Sequence, residues 1–499
     1  MFKYFKRLTG QIVFYGLSDA VSRLIAVLIL PLFTRFLSPT DYGVASLLTV
    51  TNSFIVSFTD FGLTGSIVRF YKDATEERKR QIIATAQLSM VLCVSIIAIV
   101  AVIFAKDISL FFFKTTDYSY IVILNFLSLP LTKLVNAPMI RLRCEEKAKT
   151  FALWEVLQVS GGLLANLILI VGMHRGINGL FEGPLINGAI FAVILGAYSV
   201  KVSGLSFSWS LFKEMFRFGS PLILNAVSMW VINWVDRFIL SRMLPLSEVG
   251  LYTLGYSIGM GIALPVTAFT AAWPPFYMAI HKDPEAKRIY SLVFTFYTLI
   301  ISFFVILIGI FGRDYFLFLT PEAYHGAALV VPIIALAYAF RGNFSIAAAG
   351  AYITKKTYLV TIVELIAMAV NVGLIFLLVP IMGRVGAAWA TAASFAILPV
   401  LMIWMDRKNY PIPFDYWRVF KVVVVSVAFY WLISLIYQPT LANFILRIFI
   451  MLLYPVIFLF IGFLRPEEMV RIKALWAKLI QKCLFWQKNL PEDDLGFKE

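Results

Sequence analysis

The chain has few charged side chains and few groups suited to metal binding. Only 14% of its 499 residues are Asp, Glu, Lys or Arg, whereas 61% are hydrophobic, and the mean hydropathy is +0.86. So few polar groups cannot cover a water-exposed surface, which excludes a soluble protein. The three histidines and three cysteines show no ligand or paired spacing, so we expect no metal site, no cofactor and no disulfide framework.

Enzyme signatures are also missing from the sequence. There is no glycine-rich loop ending in Gly-Lys-Ser/Thr, which excludes a nucleotide-phosphate cradle of that kind. No polar segment is long enough to form a soluble catalytic domain. The sequence therefore predicts that the protein is not an enzyme.

Long apolar runs fill most of the chain instead. A helix of about 20 apolar residues crosses a bilayer. The sequence predicts an all-α polytopic membrane protein with about fourteen transmembrane helices. The predicted spans are Gly10–Phe33, Tyr42–Leu63, Ile82–Ala105, Tyr118–Ala137, Phe151–Met173, Ile177–Val200, Phe216–Leu240, Val249–Trp273, Ile289–Phe311, Ala327–Ala348, Tyr358–Ile381, Val385–Met405, Val419–Tyr437 and Leu441–Leu464.

The excess of basic residues is explained by membrane topology. A net charge of +15 would suggest nucleic acid in a soluble protein. With Met1 in the cytoplasm, however, the cytoplasmic segments hold roughly four times as many Lys and Arg as the opposite loops. Both termini are then cytoplasmic and no nucleic-acid partner is needed. Arg237 is counted with the outer loops, and Arg447 in the last span is expected to snorkel outward.

The sequence contains an internal repeat. A shift of 207 residues superimposes loop residues at three separate places: Leu37–Gly43 on Leu244–Gly250, Lys149–Phe151 on Lys356–Tyr358, and Gly176–Gly179 on Gly383–Gly386. Both copies begin on the same side of the membrane, so we expect two parallel six-helix halves. The predicted division is residues 1–212 and 213–412 for the halves and 413–465 for two further helices. Residues 466–499 are expected to form a basic amphipathic tail on the inner membrane surface.

Charged residues inside the spans are the first candidates for a binding site. Asp19 and Arg23 lie four residues apart on the first predicted helix, so they share one face near the middle of the membrane. Charge at this depth costs about 3 kcal/mol or more, and it usually faces water or a polar partner. The functional interpretation is a cationic site in a central cavity. The alternative is a neutralised pair that holds this helix to a neighbour.

Four further residues complete the candidate set. Lys133 on the fourth span and Arg341 on the tenth occupy nearly corresponding places in the two halves. This correspondence favours a cationic pair at the cytoplasmic mouth of a cleft, although snorkelling would explain either residue alone. Arg69 and Asp60, near the end of the second span, are added to this group as candidate substrate-binding residues.

Polar and aromatic residues within the spans have two explanations. Asparagines can hydrogen-bond neighbouring helices, which is their commoner role, or can contact sugars. Tryptophans can stack on sugars, although an interfacial aromatic belt explains most of them. The residues concerned are Asn125, Asn166, Asn187, Asn225, Asn233 and Asn371, and Trp209, Trp230, Trp234, Trp273 and Trp389.

Several loop motifs resemble a known family. The motifs are Leu30–Gly43, Arg217–Pro221, Asp236–Phe238, Glu248–Tyr252 and Gly383–Ala388. They resemble polysaccharide-unit flippases, the polysaccharide transporters of the multidrug/oligosaccharidyl-lipid/polysaccharide exporter superfamily. The resemblance covers essentially the whole chain and identifies the family better than the substrate.

The resemblance implies a function and its partners. Such a flippase moves an undecaprenyl-pyrophosphate-linked oligosaccharide across the bacterial inner membrane, for O-antigen, capsule or exopolysaccharide synthesis. The lipid bilayer is its environment, and a polymerase with its chain-length machinery would be further partners. Coupling to a proton or sodium gradient is left open. A pyrophosphate head group is anionic, which fits the cationic candidates, because Arg pairs with phosphate bidentately.

Two other functions remain as alternatives. A cation-coupled exporter of small amphiphilic compounds from the same superfamily would be expected to carry more acids than bases near mid-membrane. A membrane-embedded glycosyltransferase or ligase would need a substantial extracellular loop with catalytic groups. The outer connections of this sequence are too short for such a loop.

Overall fold

A computed structural model describes residues 21–436 and 440–465. Within these ranges the chain is helical and contains no β-strand. The predicted all-α polytopic class is confirmed, and eleven of the described helices are long and apolar enough to cross a membrane. Asp19, the start of the first span and the predicted amphipathic tail lie outside the described residues.

The described part of the N-terminal half contains eight helices. Ser38 begins the second span: its hydroxyl accepts from the Asp41 amide, the Asp41 carboxylate accepts from the Ser38 amide, and Pro39 occupies the first turn. The helices are α1 (Val21–Phe33), α2 (Pro39–Thr59), α3 (Leu63–Tyr71), α4 (Glu76–Ile103), α5 (Ala105–Phe113), α6 (Ser119–Cys144), α7 (Ala148–Leu167, extended by a π-helical turn Ile168–Gly172) and α8 (Gly176–Ser203).

The remaining described helices belong to the C-terminal half and to the two helices that follow it. The helices are α9 (Trp209–Met243), α10 (Leu246–Gly259), α11 (Ala263–Ile280), α12 (Ala286–Leu319), α13 (Val331–Ala347), α14 (Ala349–Ile353), α15 (Tyr358–Asp406), α16 (Tyr416–Leu435) and α17 (Leu441–Phe460). Short 3-10 turns, Met260–Ile262 and Glu322–Leu329, precede α11 and α13. α9 carries several charged residues and is not among the eleven apolar spans.

The 49-residue helix α15 is two helices joined at Gly383. Gly383 has φ 59° and ψ −139°, a conformation that favours glycine. The chain reverses there: Gly386 packs on the backbone carbonyl of Leu378, and Asn371 on one arm donates to the Ser394 hydroxyl on the other at 3.2 Å. The two arms correspond to the predicted eleventh and twelfth spans. The total of fourteen stays a prediction because the first span is only partly described.

Contacts between α2 and α10 are consistent with the predicted repeat. The Ser46 and Thr253 hydroxyls, 207 residues apart, lie 2.7 Å from each other. Gly43 packs on the backbone of Leu246, and its counterpart Gly250 packs on the backbone of Pro39. Reciprocal contacts of this kind are the signature of a two-fold interface. The contacts between α2 and α10 thus have the reciprocity expected of the predicted repeat, while the two-fold relation of the whole halves stays a prediction.

Two glycines at predicted repeat positions both have a positive φ. Gly176 before α8 has φ 55°, and Gly383, its counterpart at the 207 shift, has φ 59°. Both positions lie in the left-handed region, where a β-carbon is disfavoured. The residue boundaries of the halves remain predictions.

A buried ion pair fixes the last two helices to the C-terminal half. α16 and α17 pack on α12 in one apolar cluster. Arg447 on α17 is 1% exposed and lies 3.0 Å from a carboxylate oxygen of Asp314 on α12. The expectation that Arg447 snorkels is therefore wrong, because a carboxylate from a helix distant in sequence pairs with it inside the protein.

We predict that replacing Arg447 with methionine destabilises the protein by about 3 to 5 kcal/mol, because Asp314 is left buried without its counter-charge. Thermal unfolding of the purified protein in detergent measures the loss. Removing both charges, with Asp314→Leu and Arg447→Met together, should restore most of the stability.

The matched control is Arg69→Met. It breaks an ion pair with Asp73 in which both side chains are more than half exposed, and it should change stability by less than about 1 kcal/mol. Equal effects of the Arg69 and Arg447 replacements would contradict the assignment of Arg447 to a buried pair.

Candidate functional site

A cavity of about 720 Å³ lies between the two halves. Its walls come from α2, α6, α7 and α8 of the N-terminal half and from α9, α10 and α13 of the C-terminal half. α2 and α10 face each other across it, next to their glycine-mediated contact. Apolar groups form most of the lining, and neutral polar side chains are set among them: Ser46, Thr49, Asn52, Asn125, Ser128, Asn166, Asn233, Thr253 and Ser257.

Arg237 is the charged residue among the lining residues of this cavity. It lies within α9, is 3% exposed, and donates to the carboxylate of Asp236 and to the carbonyl oxygen of Asn233, both at 2.8 Å. Tyr252 on α10 donates to the other Asp236 oxygen at 2.5 Å. The pair is thus fixed by two helices of the C-terminal half.

Aromatic rings surround the Arg237 guanidinium. Its central carbon lies 4.1 Å from the ring centre of Tyr256 and 4.9 Å from that of Trp234, distances typical of cation–π contacts. The Tyr256 hydroxyl is 2.9 Å from that of Tyr338. The Nε–H of Arg237 makes no hydrogen bond within the described chain. The arrangement places an oriented guanidinium with an unused N–H donor at the wall of a cavity whose lining includes neutral polar side chains.

Arg237 is not among the sequence-predicted site residues, because the loop assignment places it outside the seventh span. α9 runs on to Met243, so Arg237 lies inside the helix and is buried. A signal was available: an acid and a base stand next to each other within an otherwise apolar run, and such a pair is seldom kept without a partner or a role.

Lys133 and Asp60 are brought close together by the structure. The Lys133 side chain is 1% exposed and donates to the carbonyl oxygen of Val56 at 3.0 Å, in the last turn of α2. Asp60 follows α2 and interacts electrostatically with Lys133. Asp60 also accepts from the Thr64 hydroxyl at 2.6 Å, across the break between α2 and α3. Lys133 and Asp60 thus stabilise the chain where α2 ends and α3 begins, inside the N-terminal half.

Arg341 lies elsewhere, inside the C-terminal half. It lines a small pocket between α13 and α15 together with Glu364 and Asn371, and its guanidinium lies 5.5 Å from the ring centre of Phe395. Neither Lys133 nor Arg341 lines the cavity between the halves. Arg69 is exposed and forms a 3.2 Å ion pair with Asp73.

Arg23 lies on α1 and is exposed. The residue at its repeat-related position, Trp230, faces α2 and donates its indole N–H to the Val50 carbonyl oxygen at 3.1 Å and to the Ser53 hydroxyl at 3.0 Å. Under the repeat, Arg23 would correspondingly face α10. Its partner in the sequence interpretation, Asp19, is outside the described residues.

At the C-terminal end of α6, a polar cluster fixes the loop between α6 and α7. Burial would raise the pKa of the Glu145 carboxyl, but hydrogen bonds from Lys147, Arg141 and Tyr71 outweigh it and hold the pKa at about 2. The cluster joins α3, α6 and the following loop. It is a structural clamp remote from the cavity.

The fold and its cavity define a class of protein: a multi-pass membrane protein with two helical halves around a central cavity, as in membrane transporters. Within this class, the chain belongs to the polysaccharide biosynthesis protein family, whose profile matches residues 8–281.

A relative and several solved structures are similar to this chain. A Shigella flexneri protein, provisionally described as an O-antigen transporter, is 24% identical over 281 residues, which cover 54% of this chain and 66% of that protein. The lipid II flippase MurJ in an inward closed conformation gives a TM-score of 0.68 at 16% identity, over 90% of this chain and 98% of MurJ. A mutant of the Vibrio cholerae MATE transporter VcmN gives 0.56 at 14% identity, over 81% and 97%.

These similarities bear on the sequence-based predictions. The resemblance to the polysaccharide transporter family is confirmed by the family match. The relatives named above are described as transporters and flippases, in agreement with the prediction that the chain is not an enzyme. At identities this low, the solved structures establish the fold alone.

Proposed function

We propose that this protein is a flippase for an undecaprenyl-pyrophosphate-linked oligosaccharide repeat unit. It would act in the bacterial inner membrane, with both termini cytoplasmic, in the synthesis of O-antigen, capsule or exopolysaccharide. The observation that carries the proposal is the cavity between the halves, whose lining combines one buried arginine with neutral polar side chains. This combination suits a ligand that is anionic at one end and rich in hydroxyl groups at the other.

The geometry supports an alternating-access mechanism. The contacts between α2 and α10 close one end of the interface between the halves. Nearer the other end, the Ser66 hydroxyl on α3 donates to the Met215 carbonyl oxygen on α9 at 2.7 Å, and Gly62 packs on the backbone of Gly219. Rocking of the halves would break one set of contacts and keep the other. The lipid tail would remain in the bilayer, so only the head group and sugars would enter the cavity.

The proposal is tested by following the lipid-linked glycan in cells that lack the protein. We expect such cells to accumulate it on the inner leaflet and to regain surface polysaccharide when the wild-type gene is supplied. Accumulation of a small amphiphilic compound, with normal surface polysaccharide, would instead favour the exporter alternative.

Arg23→Ala is expected to reduce surface polysaccharide at least about tenfold through loss of charge-assisted contacts to phosphate. Arg23→Lys should retain part of the activity because it keeps the charge without the forked donors. Arg23 is exposed on α1, so the protein should remain in the membrane at its normal level. Immunoblotting of membranes and quantification of surface polysaccharide measure the two effects. Full activity of the alanine variant would remove Arg23 from the mechanism.

A further inference from the structure

The central cavity continues into the N-terminal half. A second cavity of about 380 Å³ lies among α6, α7 and α8, and it shares Asn166 and Pro184 with the central one. We call this second cavity the side pocket. Its size falls within the range of about 300 to 1,000 Å³ that is usual for small-molecule sites.

The side pocket is polar but carries no charge. Its polar lining consists of amides and one hydroxyl, and none of its lining residues is ionisable: the polar members are Thr132, Asn136, Gln158, Asn166 and Asn187. An amide side chain both donates and accepts hydrogen bonds, as a sugar hydroxyl does. An ionic ligand, in contrast, would find no counter-charge among these residues.

Asn166 stands at the junction of the two cavities. Its side chain is 7% exposed, and its Oδ1 accepts no hydrogen bond within the described chain. A buried acceptor without a partner is costly unless a ligand or water satisfies it. Gly183 on α8 makes room for this oxygen, because a β-carbon there would lie only 2.0 Å from it.

The neighbouring amide is held in a fixed orientation. Asn187 on α8 donates its Nδ2–H to the carbonyl oxygen of Gln158 on α7 at 3.0 Å. This bond sets the direction of the Asn187 amide and links two walls of the side pocket. The polar groups are thus organised before a ligand arrives.

We propose that the side pocket is a subsite for neutral sugars of the lipid-linked glycan, separate from the anion site at Arg237. This inference rests on the proposed flippase function. It places the two chemical parts of the substrate at different sites: the sugars among α6, α7 and α8, and the phosphates near Arg237 on α9 and Arg23 on α1.

The experiment compares two probes on the purified full-length protein in nanodiscs, with affinity measured by microscale thermophoresis. One probe is undecaprenyl pyrophosphate without sugar. The other is the lipid-linked glycan extracted from cells that lack this protein. We expect the wild type to bind the glycan-bearing probe at least about tenfold more tightly, as one or two additional hydrogen bonds would allow.

Variants of the side pocket separate its role from that of Arg237. Asn166→Ala should remove most of the preference for the glycan-bearing probe and leave the affinity for undecaprenyl pyrophosphate unchanged. Thr132→Val and Gln158→Leu alter partly exposed lining residues at low risk to folding, and they should reduce the same preference. Arg237→Gln should lower the affinity for both probes by the same factor.

The matched control is Gln87→Leu. Gln87 is a buried amide of the same half that lines neither cavity and accepts a 2.5 Å hydrogen bond from Ser199. Its replacement should leave the preference between probes intact.

The remaining outcomes would contradict either the sugar subsite or the proposed function. Equal wild-type affinity for the two probes, or equal weakening of both by Asn166→Ala, would overturn the sugar subsite and leave the flippase proposal standing. Binding of neither probe by the wild type would overturn the proposed function itself.

Discussion

Removing both charges of the Asp236–Arg237 pair, with Asp236→Asn and Arg237→Gln together, will reduce transport of the glycan about 100-fold or more. Arg237 is the charged group on the cavity wall, and two charge-assisted hydrogen bonds to phosphate are worth about 3 kcal/mol or more. The double replacement keeps the site neutral and similar in shape, so the protein should still fold. Surface polysaccharide, normalised to the amount of protein in the membrane, measures the effect.

Single replacements in the Asp236–Arg237 pair should reduce transport to different degrees. Arg237→Gln alone leaves Asp236 buried without its cation, so it should reduce protein level as well as transport. Arg237→Lys keeps the charge but loses the forked donors, and it should retain partial transport.

The control removes a buried pair that lies away from the cavity. The double variant Asp314→Leu with Arg447→Met deletes a comparable pair in the C-terminal part of the chain and should transport normally. Wild-type transport by the neutralised Asp236–Arg237 variant would show that the cationic wall is not used.

A disulfide between α2 and α10 is expected to stop transport reversibly. The Ser46 and Thr253 hydroxyls lie 2.7 Å apart, so cysteines at these two positions are within disulfide range. The cross-link joins the two halves next to their reciprocal glycine contacts. If the halves must separate there, oxidation should lower transport at least about tenfold, since a covalent bond prevents the rocking that alternating access requires.

The cross-link experiment uses a background in which Cys93, Cys144 and Cys483 are replaced by serine. The single variants Ser46→Cys and Thr253→Cys serve as controls and should transport equally with and without oxidant. Reduction should restore the double variant. A fully cross-linked protein that transports at the uncross-linked rate would show that the halves do not part at this contact.

The sequence was sufficient for features that depend on local chemistry. The repeat shift relates Gly176 to Gly383, which both have a positive φ, whereas the capping residues Ser38, Pro39 and Asp41 start α2 three residues before the predicted span. The fold class followed from the apolar runs alone. These features are decided within a few residues, or by the period of the hydrophobic pattern, so they can be read without knowing which helices meet.

The candidate site and the buried ion pair at the end of the chain were harder to predict, because both depend on contacts between helices distant in sequence. Asp314 and Arg447 are 133 residues apart, and the sequence around either residue does not indicate that the two form an ion pair. The shape of the side pocket depends on how α6, α7 and α8 are positioned along the membrane normal and rotated about their axes. A hydropathy pattern does not determine either quantity. Lys133 and Arg341 looked equivalent by spacing, yet different neighbours place them in separate environments.

The pairing of Asp236 with Arg237 has an electrical consequence. Because their charges lie 2.8 Å apart and cancel, this pair would move almost no net charge if the halves rock as proposed. The transmembrane voltage, about 2.3 kcal/mol per elementary charge at 100 mV, would then act on the cargo rather than on the protein. With the cell interior negative, this voltage would drive the anionic head group proposed above outward, and loaded and empty carriers would respond to it differently.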